Sequence, residues 1–430
     1  MSMSLALASN TLGQRMVESE SRRSHGDGRR VGRWHLATSA VTFAIALAAV
    51  LVAVLAGLTP TGSKTTAGAT SLHALAMSLL VWLPGISFSV GPLWFTSDWG
   101  QRAIRARWVS LGLFSLGSFV LVVGELLSRQ PHGLRFYLRY FETGYRYTIG
   151  QSCGLAIVAI ALAINGWLWL TRAKQTLAEA PNSSSFLVSL SVTGFVHVML
   201  APVAVALPIL MFYERLRGRG VFLPILGGDA ALLPELFWMY VQPLMLVTAL
   251  PVFGLLDEWL ARGAEDTFAP RILTASFGVS MATLLLFAWG NRPEVVLSDS
   301  TRGFFTATGL FGVLCFGHPI ATACRELGRI RLRNWDRANA ALVIATLAAG
   351  SAMLIALILP VASMRWAGTL FESAQIHLFG LAVSALPVGL AVQALRSASR
   401  SPARSRTTAD VLVGSDSEND NAPPQRAHTA

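Results

Sequence analysis

Four histidines lie inside apolar runs of the sequence and are the side chains best suited to coordination chemistry: His73, His197, His318 and His377. A neutral imidazole is a common ligand for haem iron and for copper. An ionisable side chain in the membrane interior is costly, so each of these histidines is a candidate functional group. Taken alone, a histidine in an apolar run is more often a packed, hydrogen-bonded side chain than a metal ligand. Its position in the fold decides between the two roles.

The composition is that of a membrane protein with many spans. Of the 430 residues, 53% are apolar and 13% are charged, which excludes an ordinary soluble enzyme. The net charge of +11 comes from basic residues in tails and loops, and membrane topology explains them better than nucleic-acid binding does. Cys153, Cys315 and Cys324 show no CxxC spacing, so neither a disulfide framework nor a zinc site is indicated.

Ten apolar runs, each near the length of about 20 residues that spans a bilayer as a helix, position these histidines. The runs cover residues 36–58, 72–95, 108–127, 147–170, 186–212, 232–256, 271–290, 303–323, 339–363 and 367–394. We therefore expect an all-α protein with about ten transmembrane helices in one domain over residues 36–396. Residues 1–35 are predicted to form a basic cytoplasmic tail, and residues 397–430 a disordered cytoplasmic tail.

The distribution of basic residues predicts the topology. Most of the 34 Lys and Arg residues fall on segments that become cytoplasmic when the N-terminus is placed in the cytoplasm. Positively charged loops stay on the cytoplasmic side, so both termini are predicted cytoplasmic, in a bacterial inner membrane. In this topology His73 and His377 both fall in the outer half of the membrane.

Residues 222–254 carry the most distinctive pattern, FLPILGGDAALLPELFWMYVQPLMLVTALPVFG. A turn precedes an apolar run that contains Gln242, Pro243 and Pro251. Each proline frees a backbone carbonyl, which a helix in lipid tolerates only where a neighbour satisfies it. This helix is therefore predicted to pack inside the bundle.

The same stretch resembles the helix of haem-copper oxidase subunit I that supplies the first copper ligand. That helix reads GGDP, LFW, HPEVY and PGFG in the family, and GGDA, LFW and PVFG stand here in the same order. Gln242 begins the segment QPLML, which replaces HPEVY, so the copper histidine and the redox tyrosine are both absent. Before it, Glu214-Arg215 is similar to an acidic-Arg pair that ends the fifth helix of the family.

The resemblance implies one pair of haem ligands. The run SLHALAMSLLVWLPG is similar to the family's second helix, and His73 stands at its low-spin haem ligand. The run FESAQIHLFG is similar to the tenth helix, whose H-x-H motif ligates two haems: His377 matches the second histidine, and Gln375 replaces the first. Two axial imidazoles would fill both coordination positions of the iron and leave no open site for oxygen.

The seventh and eighth runs continue the pattern of loss. The sequence AWGNRPEV resembles the start of the family's seventh helix, with Trp289 kept and Asn291 and Arg292 in place of the two other copper histidines. His318-Pro319 stands where the eighth helix of the family carries a proton-uptake lysine.

The resemblance spans residues 36–394 and implies a diverged membrane cytochrome of the subunit I type, with one low-spin haem, no copper and no oxygen reduction. The resemblance leaves the type of haem open. The haem would transfer electrons from a quinol or cytochrome donor, or it would have a structural role. Membrane lipid and an additional oxidase-like subunit are the other expected partners, and nucleic acid is not. The alternatives are a haem-free scaffold or partner subunit, a transporter, and an active terminal oxidase or nitric oxide reductase, which conflicts with the residues.

Overall fold

The computed structural model describes residues 100–127, 140, 146–179 and 184–247. It also describes single helical positions at 251, 254, 300, 301, 303, 304, 307, 311 and 344. The elements are α1 (Gln101–Leu126), α2 (Arg146–Glu179), α3 (Ser185–Arg217), a 3₁₀ turn (Pro224–Leu226) and α4 (Leu232–Val247). This part of the chain is entirely helical apart from its turns and connecting loops.

Three of these helices are long and apolar enough to cross a membrane: Gln101–Gly124, Thr148–Thr176 and Phe186–Arg217. They and α4 correspond to the third to sixth apolar runs of the sequence. The prediction of an all-α integral membrane protein is thereby confirmed. The count of ten helices stays a prediction, because the remaining runs and both predicted tails lie outside the described residues.

The helix ends differ from the apolar runs that predicted them. α1 begins at Gln101 rather than at residue 108, α2 continues to Glu179 and α3 to Arg217. Hydropathy stops at the first charged residue, whereas the backbone stays helical through turns whose polar side chains reach the membrane surface. The first turn of α1 shows this, since Arg102 and Arg105 are exposed while Ile104 between them is buried.

α2 is the central helix of the described bundle. It packs against α1 on one side and α3 on the other, and α3 packs against α4. Buried leucine, valine and alanine side chains of α2, including Leu155, Val158 and Leu162, form the middle of the core. Aromatic side chains of α4, among them Phe237, close the same core from the other side.

Glycines set how closely the helices approach. A Cβ on Gly194 of α3 would lie 2.5 Å from the carbonyl oxygen of Gly166 in α2, and a Cβ on Gly117 of α1 would lie 2.7 Å from that of Gly154. Backbones therefore touch at both crossings, which is how membrane helices gain packing energy without a hydrophobic driving force. At the α1–α2 crossing the Ser110 hydroxyl also donates across the interface, to the carbonyl of Ala161 at 2.8 Å.

Gly194→Ala is expected to lower the free energy of unfolding by about 1–3 kcal/mol, the usual cost of overpacking a close-packed interior. The added methyl group would meet backbone atoms, which cannot rotate away as a side chain can. Unfolding of the detergent-purified protein measures the change. Gly112→Ala in α1 is the matched control, because its Cβ would meet nothing within 4 Å. Equal stability of the two variants would contradict the close crossing.

Candidate functional site

The predicted haem and copper positions lie almost entirely outside the described residues. Those outside are His73, Asn291, Arg292, Gln375 and His377. Gln242 falls within α4, as the sequence predicted, two residues after the buried Tyr240. The pairing of His73 with His377 therefore stays a prediction.

The described residues hold a buried carboxylate at the end of α3 that is saturated with hydrogen bonds. Glu214 has no exposed surface. Its Oε1 accepts from the backbone N–H groups of Val221, Phe222 and Leu223 at 2.8, 3.0 and 2.8 Å, and its Oε2 accepts from the Tyr140 hydroxyl at 2.5 Å. Four donors thus bond to one carboxylate, and these hydrogen bonds offset the cost of removing it from water.

This arrangement joins three parts of the chain. Glu214 belongs to the last turn of α3, Tyr140 precedes α2, and the three amides belong to the loop that leads to α4. The Tyr140 ring also meets the Phe222 ring edge to face, with centroids 6.0 Å apart. Because the loop is tied to α3, the start of α4, and with it the helix that carries Gln242, is fixed relative to the bundle.

Local capping explains why α3 ends and α4 begins where they do. Gly218 adopts a left-handed conformation with φ of 59°, and its N–H donates to the Glu214 carbonyl at 3.0 Å, which closes the last turn of α3. At the other end of the loop, the Asp229 carboxylate accepts from the N–H of Ala231 at 2.9 Å. Asp229 is the acidic residue of the GGDA segment, and this bond forms an Asx turn just before α4.

Two further glycines let the loop fold back on itself. The N–H of Gly220 donates to the Leu226 carbonyl at 2.8 Å, and that of Gly228 donates to the Leu223 carbonyl at 2.9 Å. A Cβ on Gly220 would lie 2.6 Å from the Leu226 oxygen, and one on Gly228 would lie 2.6 Å from the Val221 carbonyl carbon. Only glycine fits at either position without moving backbone.

A second buried polar group lies towards the opposite end of the bundle. Arg107 of α1 is 2% exposed, and its guanidinium lies over the Trp169 ring of α2, 4.9 Å from the centroid. A cation over an indole face is stabilised by the ring quadrupole, most strongly where water is excluded. Sequence reasoning missed Arg107, because it stands just before the predicted start of its run.

Several other buried polar side chains of the described helices have an atom without a hydrogen-bond partner, and His197 and Tyr240 are two of them. Within the described residues, neither His197 Nε2 nor the Tyr240 hydroxyl meets a donor or acceptor. His197 is one of the four histidine candidates, and it is 2% exposed on α3. No group of three His, Cys, Asp or Glu side chains that could hold a metal ion occurs among the described residues.

Comparison with known proteins gives partial matches to respiratory oxidases. No family model matches the chain. It is 28% identical over 134 residues to cytochrome c oxidase subunit 1 of Theileria annulata, covering 31% of this chain and 28% of that protein. It is 27% identical over 149 residues to the Synechocystis protein of the same name, covering 33% of this chain and 26% of the relative. The probable quinol oxidase subunit 1 of Staphylococcus haemolyticus is 22% identical over 221 residues, covering 48% of this chain and 32% of the relative.

These matches support a relation to the haem-copper oxidase family. Each match spans about a third or less of the relative's length. The coarse resemblance, an oxidase-like integral membrane protein, therefore agrees with the sequence analysis.

Proposed function

We propose that the chain is a diverged membrane cytochrome of the oxidase subunit I type, which holds one low-spin haem between His73 and His377 and does not reduce oxygen. One observation carries the proposal. The stretch GGDA, LFW and PVFG keeps the pattern of the copper-ligand helix, while Gln242 stands where that helix has its histidine. The partial matches to cytochrome c oxidase subunit 1 support the comparison.

The donor set fits this assignment. The imidazoles of His73 and His377 would hold the iron of a haem, and a bound haem would supply one-electron transfer. Copper prefers imidazole or thiolate donors, for which amide and guanidinium groups are poor substitutes. The positions so changed are Gln242, Asn291, Arg292 and Gln375. The role left to the chain itself is to orient the two histidines and exclude water around them.

The described structure adds support at α4. The helix that carries Gln242 is held at its start by the loop that Glu214 organises, and its residues Phe237, Tyr240 and Leu244 are buried in the core. The absence of a histidine at Gln242 thus occurs on an ordered, packed helix. This favours loss of the copper site with retention of the scaffold.

The proposed haem needs an electron donor, and the proposed bundle needs a membrane. Electrons would come from a quinol or a cytochrome, and an additional oxidase-like subunit would bind the bundle within the membrane lipid. Both termini would face the cytoplasm of a bacterial cell, with the haem in the outer half of the inner membrane.

The absorption spectrum of the detergent-purified protein tests the proposal directly. We expect a sharp low-spin spectrum on reduction with dithionite that carbon monoxide does not change, because both axial positions are filled. Metal analysis should give about one iron per chain and no copper. A spectrum that responds to carbon monoxide would contradict the ligand assignment. A colourless protein would favour the alternative of a haem-free scaffold or partner subunit.

A further inference from the structure

We propose that the loop after α3 binds the headgroup of an anionic phospholipid through Arg217 and Arg219, with Leu216 and Ile225 beside it in the headgroup layer. This proposal depends on the membrane location of the bundle and stands whether or not the chain holds haem. The surface formed by these four residues is called the loop surface below.

The length of α3 puts the loop surface at the level of the lipid headgroups. The apolar segment Phe186–Arg217 has 32 residues, which at about 1.5 Å per residue is roughly 48 Å. The hydrocarbon core of a bilayer is about 30 Å thick, and about 40–45 Å with its headgroups. Both ends of α3 therefore reach the headgroup region, and the residues after Arg217 start there.

The exposure of the loop surface suits an interface better than water. Ile225 is 90% exposed and Leu216 is 82% exposed, the two most exposed large apolar side chains among the described residues. Tyr213, one turn before Arg217, is 45% exposed. Apolar and aromatic side chains next to arginines at the end of a transmembrane helix are typical of a segment that sits in the headgroup layer.

The charges of the loop surface select the headgroup. Arg217 and Arg219 are exposed, and neither forms an ion pair with another described residue. Of the nearby acidic groups, Glu214 is buried and accepts four hydrogen bonds, and the exposed Asp229 accepts one from the N–H of Ala231. A guanidinium binds a phosphate oxygen pair with two parallel hydrogen bonds. A net negative headgroup is favoured over a zwitterionic one, whose ammonium offsets the phosphate charge.

The loop surface is also held in one shape before any lipid binds. Gly220, next to Arg219, is hydrogen-bonded to Leu226, next to Ile225, so the basic and apolar parts lie side by side along the backbone. The bonds from residues 221–223 to Glu214 keep this loop against α3. Little backbone conformational entropy is therefore lost when a lipid docks.

Photolabelling of the full chain in lipid nanodiscs tests the proposal. A photoactivatable phosphatidylglycerol is expected to label residues 216–228, as mapped by mass spectrometry, more strongly than the phosphatidylcholine analogue does. The double variant Arg217→Gln with Arg219→Gln should reduce this labelling about thirtyfold, as expected when two cations near an anionic surface are lost. Both arginines are exposed, so the fold should be unaffected.

Matched variants separate the proposal from its rivals. Arg102→Gln with Arg105→Gln removes two exposed arginines at the opposite end of the bundle and should leave labelling of the loop unchanged. Equal labelling by the two lipids, or unchanged labelling in the Arg217 and Arg219 double variant, would overturn the proposal. Protein cross-links at the loop in place of lipid labelling would also overturn it, by assigning the surface to a protein partner.

Discussion

Replacing Glu214 with alanine is expected to lower the free energy of unfolding by about 3 kcal/mol. The substitution removes the acceptor of three backbone N–H groups and of the Tyr140 hydroxyl. A buried donor left without an acceptor costs about 1–3 kcal/mol, and three backbone donors are stranded together. If the loop rearranges so that water reaches these N–H groups, less stability is lost. We therefore expect the lower end of the range that three stranded donors give. Unfolding of the purified protein in detergent measures it.

Two variants make the Glu214 prediction specific. Tyr140→Phe removes one of the four donors and should cost less than Glu214→Ala, about 1–3 kcal/mol. Glu235→Ala removes a partly buried carboxylate from the first turn of α4, where a favourable helix-dipole interaction is typically worth about 0.3–1 kcal/mol. An equal, small effect of Glu214→Ala and Glu235→Ala would mean that the loop is held by other contacts.

The four described helices could be predicted from the sequence because membrane insertion depends on a local property. An apolar run of sufficient length must satisfy its backbone internally, and in lipid a helix does so within one segment. The runs that predicted α1 to α4 therefore needed no knowledge of their neighbours. Their ends were less predictable: α3 stops where Gly218 takes a left-handed conformation, five residues beyond the run.

The partners of the buried polar groups could not be predicted. The resemblance singled out Glu214 with Arg215, but nothing near Glu214 in the sequence points to Tyr140, which lies 74 positions away. Arg107 was excluded from its run as a charged residue, yet the Trp169 ring of a different helix makes its burial tolerable. Such pairings depend on how helices cross, and hydropathy carries no information on crossing.

The close helix crossings are a similar case. Gly166 and Gly194 meet backbone to backbone, whereas Gly112 meets nothing, although all three are single glycines in apolar runs. The sequence around each of these glycines is apolar, and only their positions on the helix faces differ. A sequence with 37 glycines cannot tell these roles apart without a structure. The loop glycine Gly228 was easier, because it lies in the turn that the sequence predicts before α4.

His73→Ala and His377→Ala are each expected to abolish stoichiometric haem binding, or to leave a haem that binds carbon monoxide. Loss of one axial imidazole opens a coordination position, and external ligands enter there. The reduced spectrum with and without carbon monoxide and the iron content of each purified variant measure the effect. Because both substitutions act on the same iron, the double variant should show no haem at all.

His197→Gln is the control for these ligand variants. His197 is also a histidine within an apolar helix, is 2% exposed and has an Nε2 without a hydrogen-bond partner among the described residues. A general requirement for buried histidines would make all three variants lose haem, whereas axial ligation makes only His73 and His377 essential. Unchanged haem content in His73→Ala would contradict the assignment. Loss of haem in His197→Gln alone would transfer the ligand role to α3.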